Sequence, residues 1–414
     1  KMLNDLSAGA IVTAMETGVM RVIGQWNMDG PQRVAVAEYL SGEKYTANWQ
    51  GGKTNICESP IEASVDTFAK AHWNGWGNGD ENMRYQDASS AGLTKDDVGE
   101  LKLKWAFAFP GESNVESQPT VVDGRIYIGS KSGKMYVLDA DTGCTYWTFQ
   151  ADNSIKNAAL LKKVGPENRL VAFFGDIGGW IYAIDAVTSE LVWKIRGDTH
   201  PAARIVGGFQ HYEGALYVGI TSLEEGLAID PSYQCCSFRG TILKINAATG
   251  RTIWQTYTIE DIPAMQGKNG RGQEMMGPSG ATVWSAVTLD KKLRRIYAAT
   301  SDNYSQPATS SSDSIVALSM DTGKMEWVYQ GLVGDAWNAS CQNGTHENCP
   351  DDAGPDEDMG SSPMLMVLPS GKRILAAGQK TGVLHVMDPD NNGKLLWKKK
   401  LAEGGILGGI EWGP

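Results

Sequence analysis

IYIGSKSGKMYVLDADTGCTYW, residues 126–147, is the stretch from which the fold can be read, because it returns four more times in altered form. The echoes are GDIGGWIYAIDAVTSELVW (175–193), RGTILKINAATGRTIW (239–254), SDSIVALSMDTGKMEW (312–327) and GQKTGVLHVMDPDNNGKLLW (378–397). The shared pattern is a glycine, a run of β-branched or aromatic residues alternating with small ones, and then an Asp, Asn or Ser. A spacer, a turn usually carrying Thr-Gly, and a short strand ending in Trp follow. The alternating run predicts a half-buried strand. The Asp-x-x-Thr-Gly element predicts a tight hairpin whose glycine takes positive φ. The closing tryptophan, on an outer strand, is placed to pack against the next unit.

Trp147, Trp193, Trp254, Trp327 and Trp397 are separated by 46, 61, 73 and 70 residues. A four-stranded propeller blade takes about 40–50 residues, so the excess belongs to loops, and long loops are where function concentrates. An array of β-sandwiches would not place a tryptophan at the same point after the same turn. The expectation is an all-β propeller. LKLKWAF, around Trp105, reads as one more outer strand with no repeat in front of it. In a closed propeller such a strand completes the last blade. Five blades and a stray strand leave a ring open at two sheet edges, an aggregation hazard. The count therefore predicts either a fragment or a second chain that supplies the remaining blades.

The 414 residues are 42% hydrophobic, enough for a large core, and 49 glycines and 14 tryptophans suit many short strands joined by tight turns. A net charge of −11 argues against nucleic acid or an acidic membrane surface as partner. No apolar run reaches the ~18 residues of a membrane span, and no signal peptide is visible at Lys1, which fits a mature, processed or trimmed chain. The six cysteines form neither CxxC nor CxxCH, excluding a zinc ribbon and a covalently attached c-type haem in this piece. Three disulfides in an oxidising compartment, secreted or periplasmic, fit best. Cys341 would pair with Cys349 across a short loop and Cys235 with Cys236, leaving Cys57 with Cys144 by subtraction. Buried free thiols are the alternative. Sequons at Asn338 and Asn343 point to a glycosylated, secreted protein.

Longer stretches carry a family resemblance. WNGWGNGDENMRYQ (73–86), GLTKDDVGELKLKWAF (92–107), SLEEGLAIDPSYQCCSFRG (222–240), GPSGATVWSAVTLD (277–290), SDNYSQPATSSSDSI (301–315), GPDEDMGSSP (354–363) and GQKTGVLHVMDP (378–389) occur in the order seen in quinoprotein alcohol dehydrogenases, above all the polyvinyl-alcohol-dehydrogenase-like members. The resemblance covers about residues 70 to 414. It implies an eight-bladed β-propeller, of which this chain would hold blades 1–5 (91–414), after a lead-in at 46–90. It also implies oxidation of an alcohol with pyrroloquinoline quinone over a bound cation, usually Ca2+. The first 45 residues resemble the C-terminal half of a class-I cytochrome c, with Met20 as the would-be axial ligand and Pro31 to Leu40 as the last helix. The haem-attaching half is absent, so a helical remnant without haem is expected.

The resemblance also implies a site. Glu224, with Glu225 as its rival, and Asn303 match the cation ligands, whose oxygens suit a hard ion; Asp356 may be counted as a third. Asn303 lies in a sequon of its own, which a ligand could not use. Asp356 matches the base that takes the alcohol proton, and Asp358 completes an Asp-x-Asp pair that could approach the cation and admit a lanthanide. Trp284 matches the floor under the flat quinone, Thr282 the hydroxyl beside it, Lys380 a basic residue reaching its oxygens, and Glu116 an acidic first-blade contact. Arg239 would brace the acidic loop. A ring formed by Cys235 and Cys236 caps the quinone in relatives, though their pairs lie earlier in the chain. Small or polymeric alcohols as substrate, and an external electron acceptor such as a cytochrome c, follow from the same resemblance. Because a fold does not fix a function, two other readings stay open: a secreted, non-catalytic binding or structural propeller, and a carrier that holds the quinone without turnover.

Overall fold

A computed structural model describes residues 7–17, 30–45, 55–61, 67–110, 112, 114–342 and 346–412. The five repeats form five antiparallel sheets, each a meander of four strands in chain order. Sheet 1 comprises Thr120–Val122, Arg125–Gly129, Lys134–Asp139 and Thr145–Gln150; sheet 2, Leu160–Val164, Arg169–Gly175, Trp180–Asp185 and Leu191–Arg196. Sheet 3 comprises Gln210–Tyr212, Ala215–Ser222, Thr241–Asn246 and Thr252–Tyr257, with Ala203–Arg204 added to its second strand. Sheet 4 comprises Thr288–Asp290, Arg295–Ala299, Ser314–Ser319 and Met325–Gln330; sheet 5, Met364–Val367, Arg373–Gly378, Val383–Asp388 and Lys394–Lys400.

Successive sheets pack face to face. Val137 and Tyr127 of sheet 1 share one apolar layer with Ala172 and Phe174 of sheet 2. Val171 and Phe173, on the other face of sheet 2, meet Leu216 and Val218 of sheet 3. Sheets 3 and 4 meet through Tyr217, Ile242, Ile296 and Val316, and sheets 4 and 5 through Tyr297, Ala317, Leu375 and Met387. In sheets 2–4 the second and third strands are therefore buried on both faces, which corrects the expectation of half-buried strands there. Arg169–Gly175 and Ala215–Ser222 are buried almost throughout, whereas outer strands such as Met325–Gln330 keep an exposed face. A strand sandwiched between two sheets has no solvent face to mark with polar residues.

The repeat motif works as a lock. Asp139 accepts hydrogen bonds from the amides of Asp141 and Thr142, and Gly143 turns at φ 73°. A side chain on Gly143 would collide with the indole of Trp105. Trp193 sits likewise against Gly250, Trp254 against Gly323 and Trp327 against Gly393. The indole nitrogens of Trp105, Trp193 and Trp254 donate to the carbonyls of Ala140, Ala247 and Met320, 3.0–3.3 Å away. In sheet 2 the turn glycine is replaced by Ser189, at φ 64°, and the Trp147 indole nitrogen is buried without a partner. Trp105 thus docks like the tryptophan of a preceding sheet, but residues 101–109 form no ladder among the described residues.

One segment ties the sheets together. Trp73 pairs with Val121 of sheet 1 through two 2.8 Å backbone hydrogen bonds. Asn74 both donates to and accepts from the backbone of Leu161 in sheet 2, at 2.8 Å each way. Gln210 of sheet 3 donates to Gly79 and Asn82, and the Asn82 amide donates to Val287 and Thr288 of sheet 4. Leu365 of sheet 5 donates to the Glu81 carbonyl at 3.0 Å. Ten residues, 73–82, touch the innermost strand of every sheet, so those strands converge on one axis, as in a propeller.

Helices Ala8–Thr17 and Gly30–Ser41 share a small core of Ala8, Ile11, Val12, Met15 and Ala37. Met20 lies outside the described residues. No described helix is long and apolar enough to cross a membrane. The disulfides are Cys57–Cys144, Cys235–Cys236 and Cys341–Cys349. Asn338 is buried, its amide donating to the carbonyls of Tyr304 and Asn348, so the folded protein offers no glycan acceptor there. Asn343 lies outside the described residues.

Candidate functional site

In an antiparallel meander the start of the innermost strand and the end of the second strand share one rim. Trp284 precedes the innermost strand of sheet 4, and Asp356 and Asp358 precede that of sheet 5. Glu225 follows the second strand of sheet 3, Asp302 that of sheet 4 and Lys380 that of sheet 5. All six therefore gather at the same end of the axis.

There, carboxyl oxygens of Asp302, Asp356 and Asp358 lie within 4.8 Å of one another, all three residues buried. The Lys380 ammonium is 2.6 Å from Asp356 Oδ1 and 3.0 Å from Asp358 Oδ2. Asp358 also accepts from the Trp284 indole N–H at 3.2 Å and the Asp302 backbone N–H at 2.8 Å. Both carboxyl oxygens of Asp302 are buried without a hydrogen-bond partner. Burial, and then the Asp358 charge, push Asp356 up to about 8. The same two causes push Glu225 up to about 7 and Asp302 well above the carboxylate range. Burial opposes the Lys380 charge, but Asp358 and Asp356 outweigh it and hold the ammonium protonated. One ammonium cannot neutralise this many buried carboxylates, and buried charge without compensation is costly. The donor set is all oxygen, as a hard cation requires.

Two residues matched to cation ligands are engaged elsewhere. Glu224 is fully buried and accepts from the amides of Ser237 at 2.8 and 2.9 Å and of Phe238 at 2.6 Å, and from the Tyr233 hydroxyl at 3.1 Å. Its carboxylate anchors the turn after Cys236, while its neighbour Glu225 feels the aspartates. Asn303 Oδ1 accepts from the Thr309 amide at 2.6 Å and its Nδ2 donates to the Ser279 carbonyl at 2.8 Å. Asp302, one residue earlier, is the side chain left free. The cause is local: Glu224 and Glu225 are consecutive on the helical turn Glu224–Leu227, about 100° apart around its axis, and Asp302 and Asn303 are consecutive on extended chain, where side chains point to opposite sides, so each doublet splits between two environments.

The remaining candidates divide similarly. The Arg239 guanidinium stacks 3.7 Å over Tyr257 and donates to the carbonyls of Ile259 and Glu260, so it braces the exit of sheet 3 and not the acidic loop. Thr282 is buried in a hydroxyl network with Thr221, Ser301 and Tyr304. Cys235 and Cys236 are buried against Tyr304, Tyr233 and Ala228. Glu116 pairs with Lys156 at 2.5 Å, and both line a cavity of about 570 Å³ with Trp76, Arg84, Asn157 and Trp412. Trp412 stands edge-on to Trp284, centroids 4.5 Å apart, and so joins the cavity to the carboxylates. Lys156, Trp412 and Asp302 are candidate site residues that motif matching passed over; the Asp302-Asn303 doublet was the available signal for Asp302.

With this geometry in hand, comparisons with known proteins become informative. Residues 225–346 match the β-propeller domain of glucose/ethanol/alcohol dehydrogenases, and residues 94–261 match the family of the outer membrane protein assembly factor BamB. The polyvinylalcohol dehydrogenase of a Pseudomonas species is 38% identical over 351 residues, covering 84% of this chain and 54% of that protein. The polyvinylalcohol dehydrogenase of Sphingopyxis sp. strain 113P3 is 38% identical over 359 residues, covering 86% and 54%. In fold, the chain resembles the quinohemoprotein alcohol dehydrogenase ADHIIG of Pseudomonas putida, with TM-score 0.62 and 22% identity, over 80% of this chain and 48% of that one. The chain spans about half the length of the curated relatives it matches. Over that half, the chain is similar in sequence to polyvinylalcohol dehydrogenases and to the β-propeller domain of glucose/ethanol/alcohol dehydrogenases.

Proposed function

We propose that the chain is the front part of a pyrroloquinoline-quinone-dependent oxidoreductase that acts on alcohols, polyvinyl alcohol or similar secondary alcohols among them. The observation that carries this is the buried group Asp302, Asp356 and Asp358 beside Trp284 and Lys380. Asp302, with two unpartnered oxygens, Asp356 and Asp358 would hold a divalent or trivalent cation such as Ca2+ or a lanthanide. The Trp284 indole offers a flat surface, and Glu116, Lys156 and Trp412 line the adjoining cavity where a planar tri-anion would be received.

Bound pyrroloquinoline quinone would supply the two-electron acceptor for the alcohol, and a cation held by Asp302, Asp356 and Asp358 would supply Lewis acidity. The chain's own part is proton handling and orientation. An ionised Asp356 accepts the hydroxyl proton, and burial makes it a stronger base than a surface aspartate. Lys380 orients Asp356 and Asp358 together from one ammonium, and the Trp284 N–H fixes the rotamer of Asp358. The surrounding sheets exclude water from this end of the axis.

The outward face of sheet 5 would be covered by further repeats, from the same polypeptide or a second chain, completing an eight-bladed ring. Electrons would leave to an external acceptor, and the three disulfides suit a secreted or periplasmic setting. The test is to add pyrroloquinoline quinone with Ca2+ or La3+ to the purified protein, follow Trp fluorescence quenching, and then follow dye reduction by a secondary alcohol. Quenching and dye reduction are expected, with dye reduction lost in Asp356→Asn. Quenching without turnover in the parent would indicate a carrier, and no quenching a non-catalytic propeller.

A further inference from the structure

Asp356 has φ 61°, a left-handed conformation uncommon outside glycine that persists only where surroundings impose it. The residue that follows, Glu357, is gripped through both its N–H and its carbonyl. Asp335 Oδ2 accepts from the Glu357 N–H at 3.0 Å, and the Glu357 carbonyl accepts from Gln379 Nε2 at 2.9 Å. Gln379 is held in turn: its Oε1 lies 2.9 Å from His385 Nε2, and His385 Nδ1 lies 2.9 Å from the Tyr329 hydroxyl. One set of protons satisfies the whole line. Gln379 must donate to a carbonyl, so its oxygen faces His385; His385 Nε2 then carries the hydrogen, and bare Nδ1 accepts from Tyr329. Gln379 and His385 are 2% and 1% exposed, so water cannot replace a lost partner. Tyr329 belongs to sheet 4 and His385 to sheet 5, so the line crosses the joint between them.

We propose that this uncharged relay, Tyr329–His385–Gln379, holds the peptide between Asp356 and Asp358, and that Gln379 and His385 are positioning residues for the two carboxylates. The positioning role rests on the cation reading above; the relay itself does not. Because none of its members is ionised in this arrangement, Gln379→Met or His385→Leu changes geometry without changing the charge of the site.

Hydrogen exchange of the full chain, resolved at residues 354–361, tests the relay. In Gln379→Met the amides of Asp356 and Glu357 should exchange at least about ten-fold faster, with sheets 1 and 2 unchanged. His385→Gln, which can still donate to Gln379, should stay within about two-fold of the parent, whereas His385→Leu should follow Gln379→Met. If Gln379→Met fails to fold, Tyr329→Phe should still accelerate these two amides measurably. Parent-like exchange in the folded variants, or acceleration spread evenly over all sheets, overturns the relay. Terbium(III) emission excited through Trp284 tests the positioning: Gln379→Met should bind terbium about ten-fold more weakly and His385→Gln as the parent does. Equal affinity in all variants overturns the positioning role. A parent that takes up no terbium overturns the cation reading and with it that role, whatever the exchange rates show.

Discussion

The joint between sheets 4 and 5 and the outward face of sheet 5 are built from the same kinds of side chain, yet only one is finished. At the joint, Trp327 is 9% exposed, lodged against Gly393 of the next turn, above a layer of Tyr297, Ala317, Leu375 and Met387. On the outward face, Ile374, Ala376 and Val386 are packed, among the described residues, by their own sheet's Met364, Met366, Leu384 and Leu396, and Trp397 is 48% exposed. Trp397 pairs with Val386 as Trp327 pairs with Ala317, so the two tryptophans hold equivalent positions. The apolar pattern of a repeat prepares a face, and a neighbour with a turn glycine is needed to bury it. The joint also holds the proposed cation site, since Asp302 comes from sheet 4 and Asp356, Asp358 and Lys380 come with sheet 5.

The largest expected effect separates the two tryptophans. Trp327→Ala should cost about 3–5 kcal/mol in denaturant unfolding, and Trp397→Ala less than about 1 kcal/mol; equal costs would mean that the outward face is covered after all. Gly393→Ala puts a methyl group at φ 71° against the Trp327 indole and should cost about 1–3 kcal/mol. Next comes pH. Asp356 and Glu225, raised to about 8 and about 7, keep protons in the folded state that the unfolded chain has released. Stability therefore falls as pH climbs from the ordinary carboxylate value towards 8. His211 and His385, lowered by burial to about 4, act oppositely, but only below about 6.5. Between pH 6.5 and 8 the unfolding free energy without added cation should fall by at most about 1.4 kcal/mol per pH unit for each ionising group, read as a falling thermal midpoint. Added La3+ should flatten the trend. The smallest effect is expected for Leu384→Lys on the outward face, within about 0.5 kcal/mol in this chain. Sedimentation should show that the same change blocks association with a polypeptide carrying the remaining repeats.

Much of this was legible beforehand. The turn motif and its tryptophan led to five sheets because a hairpin with fixed φ requirements leaves a local signature. Trp284, Asp356, Asp358 and Lys380 could be named from motifs and are brought together. What escaped has a common cause. Whether Glu224 or Glu225, and Asp302 or Asn303, faces the axis depends on a one-residue choice of side: a step of about 100° around the helical turn Glu224–Leu227, and a switch to the opposite face on the extended chain at Asp302-Asn303. The grip of Asn74 and Asn82 on distant sheets escaped for another reason. Side-chain amides bonding to backbone 87 and more than 200 residues away leave no periodicity behind.

That grip changes how the repeats depend on one another. In a solenoid each unit answers only to its neighbours, and damage stays local. Here Trp73, Asn74, Gly79, Glu81 and Asn82 act as a keystone that every arch leans on. Loosening the segment 73–82 would be felt in sheets 1 and 5 at the same moment, so the array would melt as one body.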